Sequence, residues 1–162
     1  MHTGGLQDEA DLRRVVSMYS QVLVPEKAAR RMASWIDEGR IEDNAKTWRQ
    51  LGDMWLIARE RENAKSALWK SASMEADAAT LELLASIHFE DAEWQQSYDA
   101  FERALRLTAT DDEDQHRLEM LTGLTAMRAG HKTEAREFLL LARQDKALRG
   151  QVRSILRELD QP

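Results

Sequence analysis

A chain of 162 residues lies within the size of one domain and can bury roughly 70% of the surface its unfolded form exposes, so a core is possible without staples. Its 23 basic and 29 acidic side chains leave a net charge of -6, a field that repels phosphate backbones and excludes nucleic acid as an expected partner. With no cysteine there are no disulfides, thiol catalysis or thiolate metal sites, and with only Pro25, Pro162 and seven glycines among many Ala, Leu, Glu, Arg and Gln the composition predicts an all-α protein.

Residues 1–8, opening with "MHTGG", read as a flexible leader ahead of a single domain spanning 9–162. Four units are expected to start near residues 9, 45, 78 and 116, each with two apolar stripes at helical spacing. The first stripes are Leu12, Val15 and Tyr19; then Trp48, Leu51 and Trp55; then Leu81, Leu84 and His88. The second stripes are Ala28, Met32 and Trp35; Ala64, Leu68 and Ser71; Ser97, Phe101 and Ala104; and Ala135, Leu139 and Ala142. Small residues twelve apart mark where the two helices of each unit should touch: Val16 with Ala28, Gly52 with Ala64, Ala85 with Ser97, and Gly123 with Ala135. Each unit is therefore a helical hairpin, and Trp48 and Trp55 are packing residues rather than a stacking site for a ligand.

Between the third and fourth units, "TATDDEDQ" reads as a solvated loop whose aspartates suit the start of a helix, where unpaired amides favour negative charge. It lacks the ligand series and glycine turn of a calcium loop. Residues 146–160 form an amphipathic helix, with Leu148, Val152, Ile155, Leu156 and Leu159 on one face, that suits a terminal cap over the last hairpin. Its other face carries Lys146, Arg149, Arg153 and Arg157, diluted by Asp145, Glu158 and Asp160, and reads as solvated.

The run "WRQLGDMW" resembles the tetratricopeptide repeat, whose unit of about 34 residues carries W-x2-L-G-x2-Y on its first helix and a small residue opening its second. Trp55 stands in the tyrosine's place. The units depart from that pattern at Leu81, which replaces the tryptophan in the third, and at Thr122 and Ala126 in the fourth. The resemblance implies a right-handed superhelical stack of helical hairpins with a C-terminal capping helix, and a concave groove lined by the first helix of each repeat.

No glycine-rich phosphate loop, H-E-x-x-H or nucleophile elbow occurs, so an enzyme is not expected, nor is any cofactor or metal. His88 occupies a packing slot, where a partly buried, hydrogen-bonded side chain is expected. Binding is expected along the first helices instead. The groove positions are Lys46, Arg49, Asp53 and Leu56 in the second repeat, Glu82, Ser86 and Phe89 in the third, and Met120, Leu124 and Met127 in the fourth. Leu124 and Met127 suit either the groove or the core, and Phe89 could instead fold against Trp94. Tetratricopeptide domains that clamp the C-terminal carboxylate of a chaperone use paired Lys and Asn at such positions; Lys46 and Arg49 resemble part of that clamp, but Asp53 and Ser86 stand where asparagines are needed. An extended or helical peptide with apolar anchors is the expected partner.

The runs "GRIEDNAKTWRQLGDMWLIARERENAKSAL", "LELLASIHFEDAEWQQSYDAFERAL" and "GHKTEAREFLLLARQDKALRGQVRSILREL" also look like the C-terminal part of tetratricopeptide proteins associated with TonB, ExbB and ExbD energy-transduction systems. That resemblance implies a periplasmic, non-enzymatic scaffold assisting TonB-dependent transport, with a component of that system as partner. The periplasm follows if residue 1 succeeds a removed leader, and the cytoplasm otherwise, where a generic adaptor or chaperone is the alternative role. No stretch is long and apolar enough to predict direct membrane insertion.

Overall fold

A computed structural model describes residues 9–21, 25–109 and 114–161, with the backbone alone for 16–21. The leader at 1–8, the side chains of Val16 and Tyr19, and Asp111 and Asp112 lie outside the described residues. The described residues form nine helices and no strand: α1 (Glu9–Gln21), α2 (Pro25–Asp37), α3 (Ala45–Ile57), α4 (Arg61–Met74), α5 (Ala78–Glu90), α6 (Trp94–Leu107), α7 (Gln115–Ala129), α8 (Lys132–Ala142) and α9 (Arg149–Leu159). The chain divides into two compact units, Met1–Ala76 with α1–α4 and Asp77–Pro162 with α5–α9.

In the first unit α1 packs on α2, α2 on α3 and α3 on α4. Gly52 lets the last pair close: a Cβ there would stand 2.7 Å from Cγ and Cδ2 of the fully buried Leu68. At the other end of the pair Ser71 Oγ donates to the carbonyl of Ala45 at 2.8 Å. Met32, Trp35 and Ile36 of α2 share one apolar cluster with Leu51, Met54 and Trp55 of α3, and Ile41, in the connection between those helices, is sunk into it. Trp48 is only half-buried at the edge of this cluster. Its indole Nε1 donates to Asp43, and the Lys70 ammonium sits 3.8 Å from its ring centroid, within cation–π range.

In the second unit α5 packs on α6, α6 on α7, α7 on α8, and α9 on both α8 and α7. Ser97 Oγ donates to the carbonyl of Ala85 at 2.8 Å, so this small-residue pair joins its two helices directly. A Cβ on Gly123 would meet Leu139 Cγ at 2.8 Å and the carbonyl of Ala135 at 3.1 Å. Val152 and Leu159 of α9 are buried in the cluster formed by Ala126, Ala135, Leu139 and Ala142. Leu140 and Leu141 of α8 stay exposed beside this cluster.

Four helix ends use one backbone device. The amides of Arg40, Glu60, Glu93 and His131 reach five residues back to the carbonyls of Trp35, Trp55, His88 and Ala126 at 2.8–2.9 Å. The residue before each amide has positive φ: Gly39 (69°), Arg59 (61°), Ala92 (58°) and Gly130 (92°). This is the Schellman closure, which satisfies the last free carbonyls of a helix and favours glycine at the left-handed position.

Helix starts are less uniform. Asn44 Oδ1 accepts from the amide of Thr47 at 2.9 Å, and Asp77 Oδ2 accepts from the amide of Thr80 at 2.8 Å and from its hydroxyl at 2.6 Å. Asp114 stands at the start of α7 but makes no such cap; its carboxylate accepts from Arg117 Nε at 2.9 Å. Asn44→Ala and Asp77→Ala are each expected to lower stability by about 1 kcal/mol through loss of a capping acceptor. Denaturant midpoints measured on the two single variants check this, and Asp114→Ala, which removes no cap, should move the midpoint less.

Candidate functional site

On α3, Lys46 is exposed, and Arg49 pairs with Asp53 one turn on, Nε to Oδ1 at 3.2 Å. Asp53 thus balances the cation that a carboxylate clamp would need. Leu56, the fourth position expected on this face, is half-buried against the cluster beneath it. Beside this row lies a side chain that the sequence reading passed over. Arg13 of α1 donates to Glu9 on its own helix and, across to α3, from Nη1 to Gln50 Oε1 at 2.8 Å and from Nη2 to Thr47 Oγ1 at 2.9 Å. Thr47 is fully buried, so this clasp ties α1 to the first turn of α3 and supplies its hydroxyl with a donor.

In the second unit the candidate face runs over α5 and α7. Glu82 Oε2 accepts from Arg117 Nη2 at 2.7 Å, linking the two helices, while Arg117 Nε holds Asp114. The hydrogen bond to Glu82 raises the Arg117 guanidinium above its ordinary pKa, against the opposing effect of partial burial and with help from Asp114. Ser86 is exposed, and its hydroxyl donates back to the carbonyl of Glu82 at 2.8 Å, leaving the oxygen free to accept. Phe89 is folded against Trp94, edge to face, with ring centroids 5.3 Å apart and planes at 75°. Of its two expected arrangements it takes the intramolecular one.

Along α7, Met120 and Met127 are half-buried and pack against the cluster shared with α8 and α9. Leu124 is half-buried and belongs to none of the apolar clusters among the described residues. It stands seven residues after Arg117 and four before Arg128, so the three share one face of the helix. Arg128 Nη1 pairs with Glu158 of α9 at 2.9 Å. This face is therefore an apolar centre between two arginines, each held by a carboxylate from a neighbouring helix.

The histidines carry local structure. His88 Nδ1 is hydrogen-bonded to Glu93 across the turn between α5 and α6, and His131 Nε2 to Gln95 at 2.7 Å while its ring lies 5.0 Å from that of Tyr98. Burial raises the Tyr98 phenol above its ordinary pKa, and the nearby Glu102, Glu134 and Asp99 add to the shift. A second residue missed from sequence is Glu119, whose buried carboxylate bonds Gln115 at 2.9 Å and His116 at 2.7 Å. The signal for it was present, since a carboxylate on a buried stripe with His and Gln three and four residues earlier can be satisfied by its own helix. Among the described residues no three His, Cys, Asp or Glu side chains are grouped to hold a metal ion, and no helix is long and apolar enough to cross a membrane.

No family model and no curated protein matches the sequence. Solved structures share its fold. A crystal structure of MamA aligns with a TM-score of 0.64 at 16% identity, over 90% of this chain and 76% of MamA. Pseudomonas aeruginosa PilF aligns with a TM-score of 0.57 at 14% identity, over 93% of this chain and 67% of PilF. The MamA RS-1 ArsTM double mutant aligns with a TM-score of 0.64 at 13% identity, over 96% of this chain and 97% of the other. MamA and PilF are tetratricopeptide-repeat proteins, and the chain has that all-α, hairpin-built fold.

Proposed function

We propose that the protein is a non-enzymatic interaction scaffold that holds a peptide segment on the first helices of its repeats. The observation that carries this reading is the α7 face, where Leu124 lies outside the apolar clusters and is bracketed by the carboxylate-held Arg117 and Arg128. An apolar group placed between fixed charges suits an anchor side chain of a partner, with the charges setting its direction. Met120 and Met127 flank that anchor point and add a pliable apolar margin. Glu82 and Ser86 supply acceptors on the adjoining helix, while Lys46, Arg49, Asp53 and Leu56 form the corresponding row of the first unit. Phe89 is committed to Trp94, so its role is to support the face from below rather than to enter a partner.

The resemblance of the three quoted runs to TonB-associated proteins makes a component of a TonB, ExbB and ExbD system the first partner to test. Purified periplasmic segments of TonB and ExbD should bind the full chain in a calorimetric titration, and Leu124→Ser should weaken that binding by about 2 kcal/mol, as removal of an interface anchor does, with the helical circular dichroism unchanged. Equal affinity for parent and folded variant would place the binding surface elsewhere. Absence of binding to both segments would remove the TonB assignment and leave the scaffold reading to be tested on other partners.

A further inference from the structure

The C-terminal end of the second unit carries an open cleft of about 460 Å³ lined by Leu140, Arg143, Gln144, Arg149 and Arg153. None of its lining residues belongs to α7, and it follows from how α8 gives way to α9. Arg143 is the residue on which α8 ends, Arg149 opens α9, and Arg153 follows one turn later on the same side. The connection between the helices is fixed locally, since Asp145 Oδ1 accepts from the amide of Ala147 at 2.8 Å. Arg149 Nε donates to the carbonyl of Arg143 at 3.3 Å, a contact that steadies this guanidinium at the cleft and leaves its other N–H groups available.

None of these three arginines has an ion pair among the described residues, although acidic side chains outnumber basic ones along the chain. The nearby acids are spent elsewhere: Glu158 of α9 on Arg128, and Asp160, just past its end, on Arg136. Like charges sharing one cleft repel one another, and an anion relieves that repulsion while matching the planar guanidinium fork. Leu140 is 48% exposed on the wall and Leu141 beside it is 43% exposed, so the cations sit next to uncovered apolar surface. That mixture, on a chain whose net charge of -6 opposes approach to an extended polyanion, fits a short segment with both carboxylates and an apolar side chain.

We propose that this cleft seats an acidic peptide segment, its carboxylates held by Arg143, Arg149 and Arg153 and an apolar side chain laid on Leu140. The test uses the full chain and a fluorescein-labelled peptide of alternating Leu and paired Glu, followed by fluorescence anisotropy, with the Gln-for-Glu peptide as comparison. The Glu peptide should bind at least about tenfold more tightly than the Gln peptide and should weaken as salt rises, as expected for charge-assisted contacts. The double variant Arg149→Gln, Arg153→Gln should lose about tenfold or more in affinity with its circular dichroism unchanged, both residues being exposed. Leu124→Ser should leave this binding intact, which separates the cleft from the α7 face. Equal binding of the Glu and Gln peptides, equal binding by parent and double variant, or no binding of the Glu peptide overturns the proposal. Tighter binding to phosphatidylserine vesicles than to the peptide, lost in the same double variant, overturns the peptide occupant in favour of a lipid surface.

Discussion

Trp55→Ala is expected to lower the unfolding free energy by about 3–5 kcal/mol, the range for truncating a buried aromatic, read as a shift of the urea midpoint. Trp55 is 6% exposed, sits in the cluster that joins α2 to α3, and has the Arg30 guanidinium 5.9 Å from its ring centroid. Removing the indole leaves a hole that the helices on either side cannot fill by small movements. Trp48→Ala is the internal control. Its indole is half-buried and covered on its outer side by a lysine, so its truncation opens a surface notch rather than a cavity and should cost less. If the two variants lose equal stability, the distinction between the two indoles fails.

Gly52→Val is expected to destabilise by about 2 kcal/mol, even though valine is a better helix former than glycine. The Cβ alone would stand 2.7 Å from Leu68 Cγ, an atom close to the backbone of a fully buried side chain and thus unable to swing aside. Forcing such contacts typically costs 1–3 kcal/mol, whereas the gain in helix propensity is below about 1 kcal/mol. Gly150→Val supplies the comparison, since nothing lies within 4 Å of a Cβ at that position of α9. The thermal midpoint should fall for the first variant and hold or rise for the second. A fall of the same size in both would mean that the close approach of α3 to α4 is not what the glycine serves.

The hairpins were legible because close packing of two helices leaves a periodic trace. Gly52 meets Leu68, Gly123 meets Leu139, and Ser97 donates to the carbonyl of Ala85, all at small residues set twelve apart from a partner along the chain. The placing of long side chains leaves no such trace. Arg13 could have paired locally with Glu9 alone, yet it also spans to Gln50 and Thr47; Arg117 holds both a neighbour in sequence and Glu82 on another helix. Which partner such a side chain takes depends on rotamers chosen among groups that only the folded chain brings within reach. Phe89 illustrates the same limit for an apolar group, since its spacing allowed both a groove position and the contact with Trp94 that it adopts. Glu119 is a different case: its carboxylate lies on a buried stripe and is satisfied by His116 and Gln115 of its own helix, so nothing at a distance along the chain marks it.

Within each unit every helix packs on the one that follows it, and the longer links, Arg13 to Gln50, Glu82 to Arg117 and α7 to α9, each skip a single helix. Contacts of that kind close short loops, so little chain entropy is spent before the first apolar surface is buried, and rates at the fast end of the range for domains follow. No hairpin has to wait for a distant segment to arrive. Assembly can begin at whichever one is locally strongest and spread by docking of neighbours, as in other repeat arrays. In the first unit folding is expected to start at α3 with α4, where the Asn44 cap, the seat of Leu68 on Gly52 and the Ser71 hydrogen bond all act within one stretch of chain. The order of events during folding is then set by the relative strength of individual hairpins, and a substitution in that pair is expected to slow folding as well as lower the final stability, which stopped-flow refolding rates would check.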